Sequence, residues 1–385
     1  MPRKQGTGMW GWRNVTAGSR RIFSERIPFE YRPTMKLSDF DYELPRELIA
    51  QAPPRRRDES RLLVLDRATG ELRETRFSNF PRFLQEGDLL VVNETRVIPA
   101  RIYGRKASGG VVEVFLVRRL AERQWVAMLR PAKRLNPGDT VLVGERDHEI
   151  RIGPSLGGSE WQVSLPGSVD ENRFLEEFGH IPLPPYIKRD DVPADRERYQ
   201  TIFARRNGSV AAPTAGLHFT EEVLREIKRR GVTIVPVTLH VGPGSFRPLA
   251  SEVVEENALE PELALIKKDY CDEIRSAQRT GRRLVAVGTT TTRVLESLAR
   301  GPLADEEEQM IDGEAYLSGT TDLFIYPGFE FKAVDALLTN LHLPKSSLLL
   351  LTTAFAGREA ILAAYRWAIG RKCRFYSYGD VMFIR

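Results

Sequence analysis

The chain has 385 residues, enough for two or three domains, and 42% of them are hydrophobic, which is sufficient for a sizeable core. Its 57 basic and 52 acidic residues give a formal net charge of +5, which permits a polyanionic partner and does not require one. The two cysteines, Cys271 and Cys373, form neither a CxxC pair nor a zinc-spaced cluster, so a disulfide scaffold is excluded and a reducing, cytoplasmic environment is expected. No apolar run in the sequence reaches the ~18 residues of a membrane span.

Residues 1–34 differ in composition from the rest of the chain. Basic residues far outnumber the acidic Glu25 and Glu30, and apolar periodicity is weak. We predict a poorly ordered basic extension here, with the folded chain starting near Met35. An arginine-rich start is also typical of a transit peptide or of an arm that binds nucleic acid, and a wrongly chosen start codon gives the same appearance.

The segments 35–99 and 174–385 have the pattern of an α/β domain. The apolar runs 61–66 and 89–92 lie between turn signals and predict strands. Further strand patterns, at 232–241, 284–287, 336–341 and 375–383, alternate with helix patterns at 220–230, 270–280, 290–300, 346–355 and 358–371. Alternation of this kind predicts a mostly parallel sheet.

Residues 100–173 contain short strand patterns at regular spacing, with turn sequences between them and no helical periodicity. Such a pattern is typical of a small barrel or sandwich. We therefore predict an α/β catalytic domain, formed by residues 35–99 and 174–385, and a small all-β, barrel-like domain, residues 100–173, inserted into it.

The loop 211–220 combines small residues with groups able to do chemistry. It carries Thr214, Gly216 and His218 just before a predicted helix, where backbone N–H groups and the helix dipole attract an anion. Ligands of α/β proteins collect in loops of this kind. A tight turn with a hydrogen-bonded histidine is the alternative.

The loop 240–247 follows a strand rich in β-branched residues. It begins with His240, and Gly242 and Gly244 bracket a proline, so the loop has a defined, partly rigid shape. It resembles a turn that cradles a substrate, but it lacks the Lys-Ser/Thr ending of a Walker motif. An ordinary turn remains the alternative.

The loop 288–293 joins a predicted buried strand to a helix. Gly288 is followed by threonines, of which Thr289 and Thr290 offer hydroxyls beside free helix N–H groups and suit ribose hydroxyls or a carboxylate. Arg293 stands in the first helical turn, where its charge opposes the dipole. We expect an anionic partner for it, either Glu296 or a ligand carboxylate.

Two further segments near the carboxyl terminus carry polar residues. Asn340 and His342 share one face of an extended segment, and Lys345 follows at a helix start. Asp380 lies near the last strand and is suited to orient a histidine or to bind an amine, or is simply solvated. The basic clusters 55–57, 130–134 and 188–189 have two interpretations: they are solvated surface, or they bind the phosphates of an RNA.

With these loops the chain resembles the S-adenosylmethionine:tRNA ribosyltransferase-isomerase family of queuosine biosynthesis, from about Met35 to Ile384. The resemblance is carried by segments at 40–45, 49–53, 58–61, 93–97, 182–187, 198–201, 211–220, 238–242, 287–290, 325–328, 341–346 and 377–380. Agreement at so many ordered points is not a chance event.

The resemblance implies transfer and isomerisation of the ribosyl group of S-adenosylmethionine onto 7-aminomethyl-7-deazaguanine at the tRNA wobble position. Adenine and methionine leave, and the product is epoxyqueuosine tRNA. S-adenosylmethionine is then a substrate, and the resemblance implies no metal and no redox cofactor. We expect a cytoplasmic monomer with no membrane partner.

The implied reaction needs a base, because the sulfonium acidifies the neighbouring 5′ carbon, and a proton donor for the leaving adenine. We predict that these groups are among His218, His240 and His342, and that Asp380 orients one of them or binds the acceptor amine. The predicted substrate-binding residues are Thr214, Gly216, Gly242, Gly244, Gly288, Thr289, Thr290, Arg293, Asn340 and Lys345.

Three positions depart from the family pattern. Asn257 lies in a stretch that is usually rich in histidine, Thr320 stands where tryptophan is common, and Pro243 where leucine is common. The departures at Asn257 and Thr320 motivate an alternative function, a tRNA-binding member of the family with reduced or lost catalysis. A further alternative, an S-adenosylmethionine-dependent methyltransferase, conflicts with the missing glycine-rich first loop.

Overall fold

The structure, a computed structural model, describes residues 34–133 and 135–385, so the prediction for the basic extension falls almost entirely outside the described residues. Residues Met35–Arg385 form one compact unit. Its strands are β1 Arg61–Leu65, β2 Leu72–Arg76, β3 Leu89–Asn93, β4 Thr95–Val97, β5 Arg101–Lys106, β6 Val111–Ala121, β7 Gln124–Arg130, β8 Thr140–Val143, β9 His148–Gly157, β10 Glu160–Ser164, β11 Gly179–His180, β12 Arg206–Ser209, β13 Thr233–Leu239, β14 Glu262–Lys267, β15 Leu284–Val287, β16 Ala304–Ile311, β17 Glu314–Thr321, β18 Ala336–Asn340 and β19 Val381–Ile384. Its helices are α1 Glu171–Phe178, α2 Asp195–Arg198, α3 Glu221–Arg229, α4 Lys268–Thr280, α5 Thr289–Leu298, α6 Ser347–Ala356 and α7 Arg358–Gly370.

The main sheet has ten strands in the order β16-β17-β14-β13-β3-β15-β18-β19-β1-β2. Its centre is parallel, because β13, β3, β15 and β18 run in one direction. β19 runs antiparallel to β18, and hairpins supply antiparallel strands at both edges. The prediction of a mostly parallel sheet is therefore not confirmed. The short β1–β2 and β16–β17 connections allow only antiparallel pairing, and β14 also runs antiparallel to both of its neighbours, so the sheet is mixed.

The parallel centre of the sheet determines where a site can form. β3, β15 and β18 are continuous apolar runs because apolar side chains cover them on both faces. Helices α4 to α7 pack on one face, while α3 and the 3-10 helix Phe77–Phe83 pack on the other. The carboxyl ends of the four parallel strands meet at one edge of the sheet, and the loops that carry chemistry start there.

The predicted helices of the α/β part are confirmed to within two residues at most ends. α3 starts after Thr220, whose hydroxyl accepts the Val223 N–H at 3.3 Å, as the capping signal predicts. The strand predicted from residue 375 begins only at Val381, because the backbone turns at Tyr376, where φ is +74°. No single helix of the described chain is long and apolar enough to cross a membrane; α6 and α7 satisfy that test only as a pair, bent by 115°.

Strands β5 to β10 form a closed, six-stranded antiparallel barrel in which β5 pairs with both β6 and β8. Alternate residues of β6, Val112, Val114 and Leu116, are fully buried inside it, which is the period-two pattern of a strand. The predicted barrel is confirmed as a structure. The bounds 100–173 for a separate inserted domain stay a prediction.

Candidate functional site

A cavity of about 760 Å³, which we call the large cavity, lies between the barrel and the carboxyl ends of the main-sheet strands. Arg118 and Trp125 line it from the barrel, and Glu171 and Asn172 line it from the start of α1. Of the predicted site residues, the cavity brings together His240, Gly242, Gly244 and Arg293.

His240 follows β13, and its ring is held from two sides. The Thr95 Oγ1 atom lies 2.8 Å from Nδ1, so Nε2 is the ring nitrogen without a partner among the described residues. A Cβ atom on Gly208 would lie 2.7 Å from Cε1 and 2.9 Å from both ring nitrogens, so only glycine leaves room for the ring. Burial and the nearby Arg206 lower the pKa of His240 to about 4. The imidazole is therefore neutral near pH 7 and has one nitrogen available for proton transfer.

A second cavity, of about 60 Å³, lies at the start of α5, and we call it the small pocket. Gly288 precedes the helix with a φ of +92°, a conformation that favours glycine, and the N–H groups of the first helical turn have no carbonyl partner within the helix. Thr289 is only 7% exposed, and its hydroxyl has no partner in the described chain. Free N–H groups and a free hydroxyl suit a carboxylate or ribose hydroxyls. Val241 lines both the small pocket and the large cavity, so the two are neighbours.

Asn93, at the end of β3, links these two regions. Its side-chain Oδ1 accepts the backbone N–H groups of Thr95 at 3.0 Å and Leu239 at 3.1 Å. Its Nδ2 donates to the Leu239 carbonyl at 3.1 Å and to Thr290 Oγ1 at 3.3 Å. One buried amide therefore connects three strand-end segments, and it fixes the α5 N-terminus relative to His240.

His342 lines the small pocket and follows β18. Its Nε2 lies 2.7 Å from Thr339 Oγ1, and its backbone N–H donates to the Tyr365 hydroxyl at 3.0 Å. Its carbonyl accepts a hydrogen bond from the Tyr42 hydroxyl. Burial lowers its pKa to about 3, so this ring is also neutral near pH 7. Nδ1 is the nitrogen without a partner among residues 34–133 and 135–385.

His218 differs from the other two histidines because both of its ring nitrogens are occupied. Nδ1 lies 2.8 Å from Ser60 Oγ, and Nε2 lies 3.4 Å from Asn340 Nδ2. Burial, with the charges of nearby arginines, lowers its pKa to about 3. Since Asn340 Oδ1 accepts the Thr214 hydroxyl at 2.8 Å, the ring orients the Asn340 amide at the small pocket. This geometry favours a positioning role over direct proton transfer.

Asp380 lies against backbone and makes no hydrogen bond to a histidine within the described chain. Its carboxylate accepts the N–H groups of Arg61 at 2.9 Å and Arg374 at 2.8 Å, and its side chain is buried. It thereby ties β1 to the bend before β19. The structure gives no support to the expectation that it orients a histidine.

Two other predicted residues lie outside the lining of both cavities. Gly216 packs against Thr201, where an added Cβ would meet the threonine methyl at 2.8 Å, so its role is close packing. Lys345 pairs with Asp41 at 2.6 Å, with both side chains nearly half exposed. The Lys345 ammonium, which was expected to bind a substrate, is therefore neutralised by Asp41 at the surface.

Arg293 is buried and pairs with Glu262. It also donates to the carbonyls of Leu323 at 3.0 Å and Thr321 at 3.1 Å. The expectation of Glu296 as its partner was wrong, because the Glu296 carboxylate is taken up by Arg300 and by backbone N–H groups at 332–334.

Glu262 in turn accepts the Gly242 N–H at 3.0 Å. The buried pair therefore braces the glycine loop that lines the large cavity. Sequence spacing did not suggest it, because the two partners are 31 positions apart.

Several residues of the site were missed by the sequence predictions. Asn93 ends the buried strand β3 and Thr95 begins β4, both within a family-like segment, and that position was a usable signal. Tyr186 and Tyr376 line the small pocket with ring centroids 3.8 Å apart. Tyr376 lies in the turn that interrupts the predicted last strand, and no sequence pattern marked it as a site residue.

Two of the three departures from the family pattern, Asn257 and Thr320, lie outside the cavity linings given above, whereas Pro243 lines the large cavity between Gly242 and Gly244. Asn257 accepts the N–H groups of Ala250 and Ser251 and donates to three carbonyls, so it organises its own loop. Thr320 lies within β17, paired with Leu263. In residues 34–133 and 135–385 there is no group of three or more His, Cys, Asp or Glu side chains placed to hold a metal ion.

A mixed sheet, a closed barrel, and neutral histidines beside a cavity of about 760 Å³ are together typical of an α/β enzyme. Residues 37–384 match the family model described as Queuosine biosynthesis protein, and the chain belongs to that family.

Similar proteins carry one name. The chain is 49% identical to the S-adenosylmethionine:tRNA ribosyltransferase-isomerase of Geobacter metallireducens, over 91% of this chain and 100% of the relative. It is 46% identical to the protein of the same name from Aquifex aeolicus, with the same coverage. A solved structure, described as S-adenosylmethionine tRNA ribosyltransferase from Thermotoga maritima, is 36% identical with a TM-score of 0.50, covering 90% of this chain and 100% of that one.

Proposed function

We propose that this protein transfers and isomerises the ribosyl group of S-adenosylmethionine onto 7-aminomethyl-7-deazaguanine at the tRNA wobble position. The product is epoxyqueuosine tRNA, and adenine and methionine are released. The observation that carries the proposal is the family match over residues 37–384, supported by relatives that are named for this activity.

The chemistry of the two free histidine nitrogens supports this reaction. The sulfonium acidifies the 5′ carbon, and a neutral imidazole accepts the proton released there. With a pKa of about 4, the resulting His240 imidazolium gives its proton up readily, and adenine needs a proton as it leaves. One histidine can thus carry the proton from carbon to adenine. His342, at the small pocket, has the same properties.

In this proposal S-adenosylmethionine is a substrate, and no separate cofactor takes part. The RNA partner agrees with the formal net charge of +5, since basic residues neutralise phosphates. We propose a cytoplasmic monomer that acts without a membrane partner.

Single-turnover assays with purified protein, S-adenosylmethionine and tRNA containing the aminomethyl-deazaguanine test the proposal. We expect stoichiometric adenine release and a ribosyl-derived mass gain on the tRNA. The same tRNA with unmodified guanine is the control and releases no adenine. Tight tRNA binding without adenine release would instead support the family member that has lost catalysis. The structure does not favour that alternative, because Asn257 and Thr320 line neither cavity.

A further inference from the structure

We propose that the two neighbouring cavities divide the substrates between them. The large cavity receives the nucleoside of the RNA, with Arg118 at its mouth for a flanking phosphate. The small pocket at the α5 N-terminus receives the carboxylate end of S-adenosylmethionine. This assignment rests on the proposed function and adds the location of each substrate to it.

Size separates the two cavities. The large cavity, about 760 Å³, is within the range of ligand sites that enclose a nucleoside, about 300–1,000 Å³. The small pocket, about 60 Å³, and its neighbour of about 20 Å³, which Thr289 and Thr290 also line, admit only a small group such as a carboxylate. Because Val241 lines both sides, a ligand anchored at α5 extends toward the large cavity, where the two reactants meet.

The charged residues that line the two cavities also differ, and the difference supports the same assignment of substrates. Four carboxylates, each paired with an arginine, line the large cavity together with Arg118, Arg119 and Arg293, whereas no Asp or Glu of the described chain lines the small pocket. The four carboxylates are Glu160, Glu171, Glu260 and Glu262, and a carboxylate in an ion pair keeps further acceptor positions. A guanine-type base presents N–H and amino donors on its pairing edge, and the aminomethyl group adds a further donor, so carboxylate acceptors suit it. The N–H groups at the start of α5, together with the free hydroxyl of the buried Thr289, suit an anion.

The mouth of the large cavity carries polar groups without partners. Arg118 is exposed and has no ion-pair or hydrogen-bond partner in the described chain, whereas the adjacent Arg119 is held by Glu171 at 2.7 Å. The side chains of Asn172 and Asn207, also at this cavity, are likewise without partners among the residues described. A free guanidinium beside free amides is the arrangement that an RNA backbone engages.

Paired measurements on two variants test the division. Affinity for the deazaguanine-containing tRNA is measured by anisotropy at several salt concentrations, and the KM for S-adenosylmethionine is measured by adenine release. Arg118→Ala is expected to weaken tRNA binding about 10-fold and to lower the salt-dependence slope by about 1, with KM changed less than 2-fold. Thr289→Val is expected to raise KM about 10-fold and to leave tRNA affinity unchanged.

Arg366→Ala, on the exposed surface of α7, is the matched control and is expected to change neither quantity. The reverse pattern, with Arg118→Ala acting on KM and Thr289→Val on tRNA affinity, overturns the division, and so does the absence of any effect from both variants. Wild-type protein that binds tRNA but releases no adenine refutes the proposed function instead. In that case the tRNA affinity of Arg118→Ala still tests whether the large cavity binds the RNA.

Discussion

Thr95 Oγ1 and His240 Nδ1 lie 2.8 Å apart, and this contact leaves Nε2 as the ring nitrogen without a partner in the described chain, on a side chain that lines the large cavity. Thr95→Val removes the hydroxyl at nearly constant volume and leaves the ring without its orienting partner. Misplacing a catalytic group by about 1 Å can lower a rate about 100-fold. We expect such a loss in the single-turnover rate, with the tRNA affinity unchanged.

Thr95→Ser keeps the hydroxyl and is the matched control, so it should restore most of the rate. The measurement is the rate of adenine release as a function of pH. If the valine variant has the wild-type rate at every pH, Thr95 does not position His240.

Gly208 leaves the space that the His240 ring occupies. Gly208→Ala places a methyl group within 2.9 Å of three ring atoms, at a φ of +150° that is itself unfavourable for alanine. Either the ring moves or the protein loses stability by about 1–3 kcal/mol, as in other overpacked sites. We expect the single-turnover rate to fall about 10-fold or more, because a displaced ring no longer has its reactive geometry. Gly70→Ala, at a φ of +74° but with no atom of the described chain, apart from its sequence neighbours, within 4 Å of the added Cβ, serves as the control and should retain activity.

The buried histidines make the free energy of unfolding depend on pH. Burial lowers the pKa of His218 to about 3, whereas an unfolded histidine titrates near 6.5. Below pH ~6.5 the unfolded chain therefore binds more protons than the folded one, and stability falls as the pH is lowered toward the folded pKa. Each such histidine contributes a slope of about 1.4 kcal/mol per pH unit in that window.

Denaturant unfolding between pH 7.5 and 4.5 measures this slope. His218→Gln is expected to reduce it by about 1.4 kcal/mol per pH unit. His180→Gln, a change at a half-exposed histidine paired with Asp191, is the control. An unaltered slope in the His218 variant would falsify the depressed pKa.

The buried Glu262–Arg293 pair braces the glycine loop at the large cavity. Glu262→Gln leaves a buried guanidinium without a counter-charge, and removing one member of such a pair costs about 3–5 kcal/mol. We expect a matching drop in the free energy of unfolding. The double variant with Arg293→Met should be more stable than the single one, and a double-mutant cycle gives the coupling energy.

Asp41→Asn is the comparison for that pair. It breaks the exposed pair with Lys345 and is expected to cost about 1 kcal/mol or less, because solvent screens exposed charges. A Glu262 effect as small as the Asp41 effect would contradict the bracing role.

Local patterns predicted much of the fold. The barrel strands, the buried central strands and the cap of α3 at Thr220 follow from periodicity and capping, which depend on neighbouring residues. The strand directions were less accessible, since they depend on how distant segments pair. The order of the sheet, with β19 between β18 and β1, leaves no signal in the sequence around Val381.

The same distinction applies to the site. The loops at Gly288 and His240 were found because small residues follow strands, and the structure brings both to one edge of the sheet. The sequence did not predict the roles of individual side chains, because those roles depend on partners far along the chain. Arg293 meets Glu262 rather than Glu296, and Asp380 meets backbone rather than a histidine.

The position of β19 constrains the order in which the chain folds during synthesis. β1 pairs with β2 by a local hairpin, but its other neighbour, β19, is made more than 300 residues later, as the pairing of Leu62 with Val381 shows. Until residues 381–384 emerge from the ribosome, the β1–β2 hairpin has no strand to pair with in the rest of the main sheet. The barrel, whose strands pair only with one another and with the short β11, can close long before that point. Nascent chains whose first 180 residues have emerged from the ribosome are therefore expected to contain a folded barrel beside an unassembled main sheet.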